Sequence, residues 1–462
     1  MKKTLASIAA ISIMIGCAPK QPAKTWQSYD AVLEQIKAPV FPDKQFDITN
    51  YGAKAGEVST KAINDAIIAC NAQGGGVVVV PEGEFFTGPI VMLSNVNLHI
   101  SKGAVLKFST EPKDYLPGVV TRWEGVDCVN LSPLIYAKGQ ENVAVTGEGI
   151  LDGQSSMENW WIMKSRQMTI KEEDGTTREG GRARLFKMMA DSIPLEERVL
   201  DETYELRPPF IQFYQCKNIL IEGITIHRAP FWLIHPVFSE NITVRKVIME
   251  SHGPNNDGCD PESCKNVLIE DCYFNTGDDC IAIKSGRNED GRFWNVPSEN
   301  IIVRNNIMKD GHAGVAIGSE ISGGYRNLWV ENCNMDSPNL DRAIRIKSNA
   351  IRGGHIENVY VRNITIGECK QTVFLAEMKY ERVTEGSYLP SIRNVYMENV
   401  TSQKSRYGIL IDDLPQGCVQ DVYIKNCSFN GVTNENLNII PETLNIVFDN
   451  VTINGEPFVL NK

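Results

Sequence analysis

The sequence predicts an all-β chain folded as a single-domain right-handed parallel β-helix, a solenoid of stacked coils with an N-terminal capping helix. A recurring phrase is the first sign: a polar residue, Asn, alternating aliphatics, then a second Asn or Asp. It appears at Asn142, Asn218, Asn241, Asn266, Asn300, Asn327, Asn358, Asn394, Asp421 and Asn445. From Asn218 onward the step is about 23 to 36 residues, within the range of solenoid repeats. The second sign is period-two alternation rich in Val, Ile and Tyr, as in NILIEG, NITVRK and NVYVRN, which is strand chemistry. Strands this short cannot bury a face alone, so their regular return implies stacking on neighbours. Coils about 4.8 Å apart would then align inward aliphatics in columns and let turn asparagines ladder. Leucine-rich and helical repeats fit poorly, because their Leu and Ala patterns are absent.

Taken in order, the chain begins with a targeting segment. Lys2 and Lys3 form a basic start, Leu5 to Ile15 an apolar run, and Gly16-Cys17 a processing site. The run is too short to remain as a membrane-spanning helix. Ile15-Gly16-Cys17 resembles a bacterial lipobox, in which Cys17 becomes the lipidated first residue; ordinary cleavage near Cys17 is the alternative. The expected organisation is a signal peptide over 1–17, a tether over 18–42 and the β-helix over 43–462. The protein is expected to be exported and bacterial, periplasmic or held at the outer membrane, touching lipid only through Cys17. Thr60 to Cys70 (TKAINDAIIAC) has apolar positions at helical spacing and predicts the capping helix, with a strand over Val77 to Val80. Gln154 to Arg207 breaks the pattern with Trp160-Trp161 and many charges, and reads as either a lid beside a groove or a disordered insertion.

The twelve cysteines form no CxxC pairs and no histidine completes a zinc site. They read as small buried hydrophobes, with room for one disulfide. A formal net charge of −11 argues against nucleic acid as a partner.

Reactive side chains recur at the period of the coil. Asp257 stands in GPNNDGCD and Asp278-Asp279 in NTGDDCIAIKSG, about one coil apart. Residues one coil apart lie side by side on one face of a β-helix. Adjacent residues of a regular strand point to opposite faces, but after Gly277 at a turn both Asp278 and Asp279 can reach the groove. Carboxylates held this close cannot all ionise freely, and a pair with separated pKa values is the usual acid and base of glycosidic hydrolysis. Alone, Gly-Asp-Asp reads as a solvated turn. His312, in DGHAGVAIGSE, follows about one coil on; Arg345 and Lys347, in RAIRIKSN, one beyond; Tyr380, in EMKY, one beyond that. Singly, His312 is a hydrogen-bonding turn residue and Arg345 and Lys347 a solvated edge. Together they form a column. Alternation places Arg345 and Lys347 on one face with Ile346 toward the core. Such a cation pair can bind a carboxylate within an acidic protein.

Four ordered motifs, Asn255-Asn256-Asp257, Gly277-Asp278-Asp279, Gly311-His312-Ala313 and Arg345-Ile346-Lys347, resemble those of the polygalacturonases, glycoside hydrolase family 28. FDITNYGAK, GGGVVVVPEGEF and the LIYA segment near Ile135 resemble the family's N-terminal half, and TRWEG at Thr121 to Gly125 resembles bacterial exo-type members. The chain departs at Asn256, where Thr is commoner, and at Ala313, where Gly is; neither change removes a proton donor or acceptor. The resemblance implies inverting, exo-acting hydrolysis of α-1,4 bonds between galacturonic acid residues of pectin, by a monomer with no cofactor and no metal. It implies Asp278 as general acid, with Asp257 and Asp279 holding and deprotonating water across a separation wide enough to admit it. His312 would tune the acid or hold a hydroxyl. Arg345 and Lys347 would grip a substrate carboxylate, Tyr380 would line the sugar site, and Asn255 would orient the base or a hydroxyl. The partner implied is a pectic polysaccharide or oligogalacturonide, and the insertion over Gln154 to Arg207 could wall the groove. Trp123, Trp160, Trp161 and Trp232 stay open between sugar stacking and core packing. A rhamnogalacturonan or other decorated-pectin hydrolase is the nearest alternative. A calcium-using lyase on the same fold and a non-catalytic glycan-binding solenoid fit less well, since a binder needs no paired acid and base.

Overall fold

The computed structural model describes residues 26–172, 174–434 and 445–458. The signal segment and Cys17 lie outside the described residues. Within them the chain winds as a right-handed parallel β-helix.

The recurrent asparagine bends each extended segment into a coil. At Asn142, Asn218, Asn241, Asn300, Asn327 and Asn358 the φ angles run from 54° to 66°. This left-handed conformation is costly for most side chains and tolerated by Asn, whose short amide bonds locally. Each amide then donates to the one on the coil before: Asn218 to Asn142, Asn241 to Asn218, Asn300 to Asn266, Asn327 to Asn300 and Asn358 to Asn327, at 2.7–3.0 Å. Beside this ladder the inward aliphatics stack in register. Ile219 pairs with Ile242, Ile242 with Val267, Val267 with Ile301, Ile301 with Leu328, and Leu328 with Val359. All six are fully buried, and each contributes roughly 1.5–3 kcal/mol of hydrophobic stabilisation.

The coils line up three faces. One sheet has 14 strands and another 7. The third face is split into a four-stranded sheet ending at Ile234–Val237 and a five-stranded sheet beginning at Ile281–Ile283. Between these two, residues 257–262 pair only through isolated bridges, Cys259 to Ile234 on one side and to Ile281 on the other. This loosely paired rung carries Asp257.

The helix Thr60–Ala72 covers the N-terminal end, burying Ala62, Ile63, Ala66, Ile67 and Cys70, and the strand Gly76–Val80 follows. The stretch over Gln154 to Arg207 folds beside the groove as an antiparallel hairpin (Thr169–Lys171 with Thr177–Glu179) and the helix Gly181–Ala190. Leu185, Met189, Leu200 and Leu206 pack it onto Trp123, Phe231 and Trp232. The stretch expected to be a tether is partly folded. Its helix Tyr29–Gln35 lies on the solenoid, where Tyr29, Val32 and Ile36 pack against Leu268, Ile302 and Trp329 and the Tyr29 hydroxyl donates to Glu331. All eleven cysteines among the described residues are buried and free, so the disulfide allowed for is not formed among them.

Asn300 sits mid-ladder with φ 58° and amide bonds to both neighbouring coils. Asn300→Ala should cost about 1–3 kcal/mol in denaturant unfolding, from a strained backbone and lost hydrogen bonds. A loss below ~0.5 kcal/mol would show that the ladder does not stabilise the coil.

Candidate active site

Coil stacking brings the acidic residues together. Leu233 N donates to Asp257 O, Gly258 N to Asp279 O, Cys280 N to Ala313 O and Gly314 N to Arg342 O, a continuous backbone column across five coils. Two glycines permit the close passage. A Cβ on Gly277 would lie 2.4 Å from Gly253 O, and one on Gly311 2.5 Å from Asp278 O. Asp257, Asp278 and Asp279 therefore converge, with one oxygen of each within 4.8 Å of the others. That nearest-oxygen spacing is tighter than the ~6.5–9.5 Å separation of carboxyl groups usual at inverting sites.

Each carboxylate has its own surroundings. Asp278 accepts a 2.8 Å bond from His312 Nδ1. Burial pushes its carboxyl up, but the His312 bond and charge, with Lys347 and Lys284, outweigh this and hold it at about 2. The same bond raises His312 above its ordinary value against the opposing effect of burial. Asp257 is buried, and burial together with the charges of Asp260, Asp278 and Asp279 drives its carboxyl well above the usual range, Lys284 opposing. Asp279 is fully buried, and its Oδ2 accepts 2.6 Å from Lys347 Nζ. The second oxygens, Asp257 Oδ1 and Asp279 Oδ1, have no hydrogen-bond partner among the described residues. These three acids are spaced to share a cation, yet Lys347 and Lys284 Nζ, the latter 3.9 Å from Asp257, already supply positive charge there.

The column continues as the sequence placed it. Ile344 and Ile346 turn into the core while Arg345 and Lys347 face out. Arg345 Nη2 donates 2.7 Å to Glu377, and the Tyr380 ring lies 5.5 and 5.6 Å from the Arg345 and Lys347 cations. Asn255 borders the site and accepts 2.9 Å from Arg207. Asn256, by contrast, is a fully buried clasp: its amide donates to Ala229 O and Phe231 O and accepts from Ser251 and Gly253. Trp123 and Trp160 are core residues, Trp161 donates to Ala229 O, and Trp232 borders the cavity beneath Lys284.

Sequence reasoning missed a second layer of charge. Lys284 lies 3.3 Å from Glu320, Glu320 2.7 Å from Arg287, Arg287 3.0 Å from Glu124, and Glu124 2.9 Å from Arg182 on the insertion. Lys284 was within reach, because it follows Asp278-Asp279 at outward-facing spacing in DDCIAIKSG. Glu320, Arg287, Arg182 and Lys164 carry no periodic signal. Asp260, at the end of GPNNDGCD, is also fully buried and neither of its oxygens has a partner among the described residues. Glu124, Arg182, Lys284, Arg287 and Glu320, with Asp257 and Asp278, line a polar cavity of about 150 Å³, while a second, more open groove of about 490 Å³ runs past His312, His252 and Asp341.

Convergent carboxyls beside a sugar-sized cavity on a parallel β-helix define a glycoside hydrolase. Residues 200–453 match the model of glycosyl hydrolases family 28, and the chain belongs to that family. The crystal structure of a hyperthermoactive exopolygalacturonase from Thermotoga maritima is 39% identical, covers 94% of this chain and 97% of its own, and superposes with a TM-score of 0.87. An exo-poly-α-D-galacturonosidase of Dickeya chrysanthemi is 25% identical over 90% of this chain and 72% of its own length. An endo-polygalacturonase of Pectobacterium carotovorum subsp. carotovorum is 28% identical over 69% and 71%.

Lys284 is the counter-charge that lets Asp257 and Glu320 be buried together. Lys284→Met should lower stability by roughly 3–5 kcal/mol, read from thermal or denaturant unfolding, because it strands buried acids. A variant as stable as the parent would mean that the acids are compensated elsewhere.

Proposed function

We propose that the protein is an exo-acting galacturonan hydrolase that releases galacturonate from the non-reducing ends of pectic chains by an inverting acid/base mechanism. The observation that carries this reading is the trio Asp257, Asp278 and Asp279, of which Asp257 and Asp278 line a small cavity. Its volume of about 150 Å³ is well below the ~300–1,000 Å³ of pockets for larger ligands, so it suits one sugar ring. The insertion residues Lys164 and Arg182 close it on one side. The exopolygalacturonase and exo-galacturonosidase relatives support both the substrate and the exo mode.

Asp257 and Asp279 each keep one oxygen without a partner among the described residues, and in this reading the two carboxylates hold the attacking water. One water donating two bonds of about 2.8 Å spans about 4.5 Å between its acceptors, compatible with the 4.8 Å within which one oxygen of each acid lies. A water held by both protons keeps a lone pair free for the anomeric carbon. A carboxylate acting as nucleophile would need no such twin. Asp257 lines the small cavity bordered by the insertion, and in this reading the sugar attacked there is the terminal one, with the remaining chain leaving through the open side and attack at the non-reducing end.

Asp278 and His312 share a proton. In the free site it rests on His312, whose Nδ1 lies 2.8 Å from Asp278 Oδ1. Transfer along that bond makes Asp278 the acid for the leaving oxygen. In its ionised form Asp257 takes the proton of the attacking water, and its raised carboxyl makes it the stronger base. Lys347 holds Asp279, and Arg345 and Tyr380 complete the sugar site, with Asn255 beside the base. The apolar run Leu5 to Ile15 and the lipobox-like Ile15-Gly16-Cys17 support export with a lipid anchor at Cys17 as part of this reading.

A time course on oligogalacturonides should show monomer from the first turnovers, with the β-anomer appearing first from the α-linked chain. Mixed oligomers at early times would overturn the exo mode, and initial α-anomer the inverting mechanism. Asp278→Asn should lower kcat by about 10²- to 10⁴-fold with substrate binding retained. The alkaline limb of kcat/KM reports loss of the shared proton. Because His312 is raised, that limb should lie above the ordinary imidazole value of about 6.5. In His312→Gln it should move to lower pH as kcat falls; an unmoved limb would remove His312 from the proton path.

A further inference from the structure

Two cations near Asp278 form no ion pair among the described residues. Arg207 closes the insertion and is 1% exposed. Its guanidinium donates to Pro230 O, Pro254 O and Asn255 Oδ1, and no carboxylate among the described residues lies within ion-pair distance. Burial lowers it to about 10, with Glu124 and Asp278 only partly offsetting this. Lys164, half-buried on the insertion's short helix Met163–Arg166, lines the small cavity and likewise forms no ion pair among the described residues. Burial and the neighbouring charges of Arg207 and Arg182 lower its ammonium, against Glu124 and Asp278. Buried cations are normally paired, because an unpaired charge in a dry site is costly. The other cations around the cavity obey this rule: Arg182 and Arg287 meet Glu124, Lys284 meets Glu320, and Lys347 meets Asp279.

We propose that Lys164 is the receptor for the carboxylate of the chain-terminal galacturonate, with Arg207 behind the cavity wall holding Asn255 and adding charge, so that the insertion reads the charge of the sugar bound beside it. This rests on the galacturonan reading above and deepens it. A carboxylate entering the cavity supplies the ion-pair partner that Lys164 lacks, and a neutral hexose leaves it without one. Discrimination comes from that penalty as much as from the new bonds. Arg207 also fixes Asn255, two residues from Asp257, so an occupied receptor sets the terminal ring against the water-holding acids. Arg345 and Lys347 are already engaged by Glu377 and Asp279, which leaves the insertion to bind the terminal carboxylate.

The test is a cycle of two substrates and two proteins. The full-length wild type and Lys164→Gln are compared on digalacturonate and on digalacturonate methyl-esterified only at its non-reducing sugar. Wild type should prefer the free acid by roughly tenfold or more in KM, and Lys164→Gln should raise KM for the acid while leaving the ester within about twofold. A purely structural role for Lys164 would move both substrates together, and that outcome overturns the proposal. So does a wild type that treats acid and ester alike. Arg207→Lys keeps the charge but not the fork and should give an intermediate preference; if it folds and discriminates as wild type does, Arg207 is no part of the receptor. Failure of the wild type to release galacturonate from any oligogalacturonide would instead overturn the hydrolase reading, and the two failures are therefore distinct.

Discussion

Repulsion among carboxylates on adjacent coils is the constraint around which this site is arranged. The solenoid fixes Asp257 beside Asp279 through backbone bonds that no side-chain rotation relieves, and Asp278 follows from the same turn. At such spacing in a poorly solvated wall, the acids cannot all carry charge without nearby cations. Lys284 and Lys347 provide them from outward positions of neighbouring coils. Lys284 then passes the demand on, through Glu320, Arg287 and Glu124 to Arg182 on the insertion. The insertion is thus tied to the acids by an alternating chain of charge as well as by its apolar contacts to Trp123, Phe231 and Trp232. Breaking one link leaves an uncompensated buried neighbour on either side, which couples the position of the cavity wall to the state of the acids.

The coil itself was legible because it repeats. Asn at the left-handed bend and aliphatics facing inward recur at each turn, so stacking could be read without knowing any contact. The column of Asp257, Asp278-Asp279, His312, Arg345 and Lys347 was legible for the same reason, since the period that stacks the core also stacks the site. What did not repeat stayed hidden. Lys164, Arg182 and Arg207 come from the one aperiodic stretch, and their meeting with Glu124 depends on how that stretch folds back over the groove. The docked helix Tyr29–Gln35 was hidden differently. Its composition reads as a tether, and it is held because Trp329 and Tyr360 form an aromatic face on the outside of the solenoid. Outward aromatics alternate as solvated residues do, so the sequence pattern carried no sign of a partner segment.

An acidic chain that handles a polyanion must separate local from global charge. The net charge of −11 is spread along an elongated molecule, and charges beyond about 8–10 Å are screened at physiological ionic strength. What an incoming carboxylate meets is therefore the balance within the cavity. There the paired and unpaired cations differ in kind. Lys347 and Arg345 hold charges already spent on Asp279 and Glu377, so they orient acids and polarise the site without adding much net attraction. Lys164 lines the cavity without an ion-pair partner among the described residues, and Arg207, likewise unpaired there, lies behind Asn255. The open groove past His312 carries both signs, with Asp310 and Asp341 beside Lys370, His252 and the raised His312, so the unpaired ammonium of Lys164 sets the small cavity apart from it.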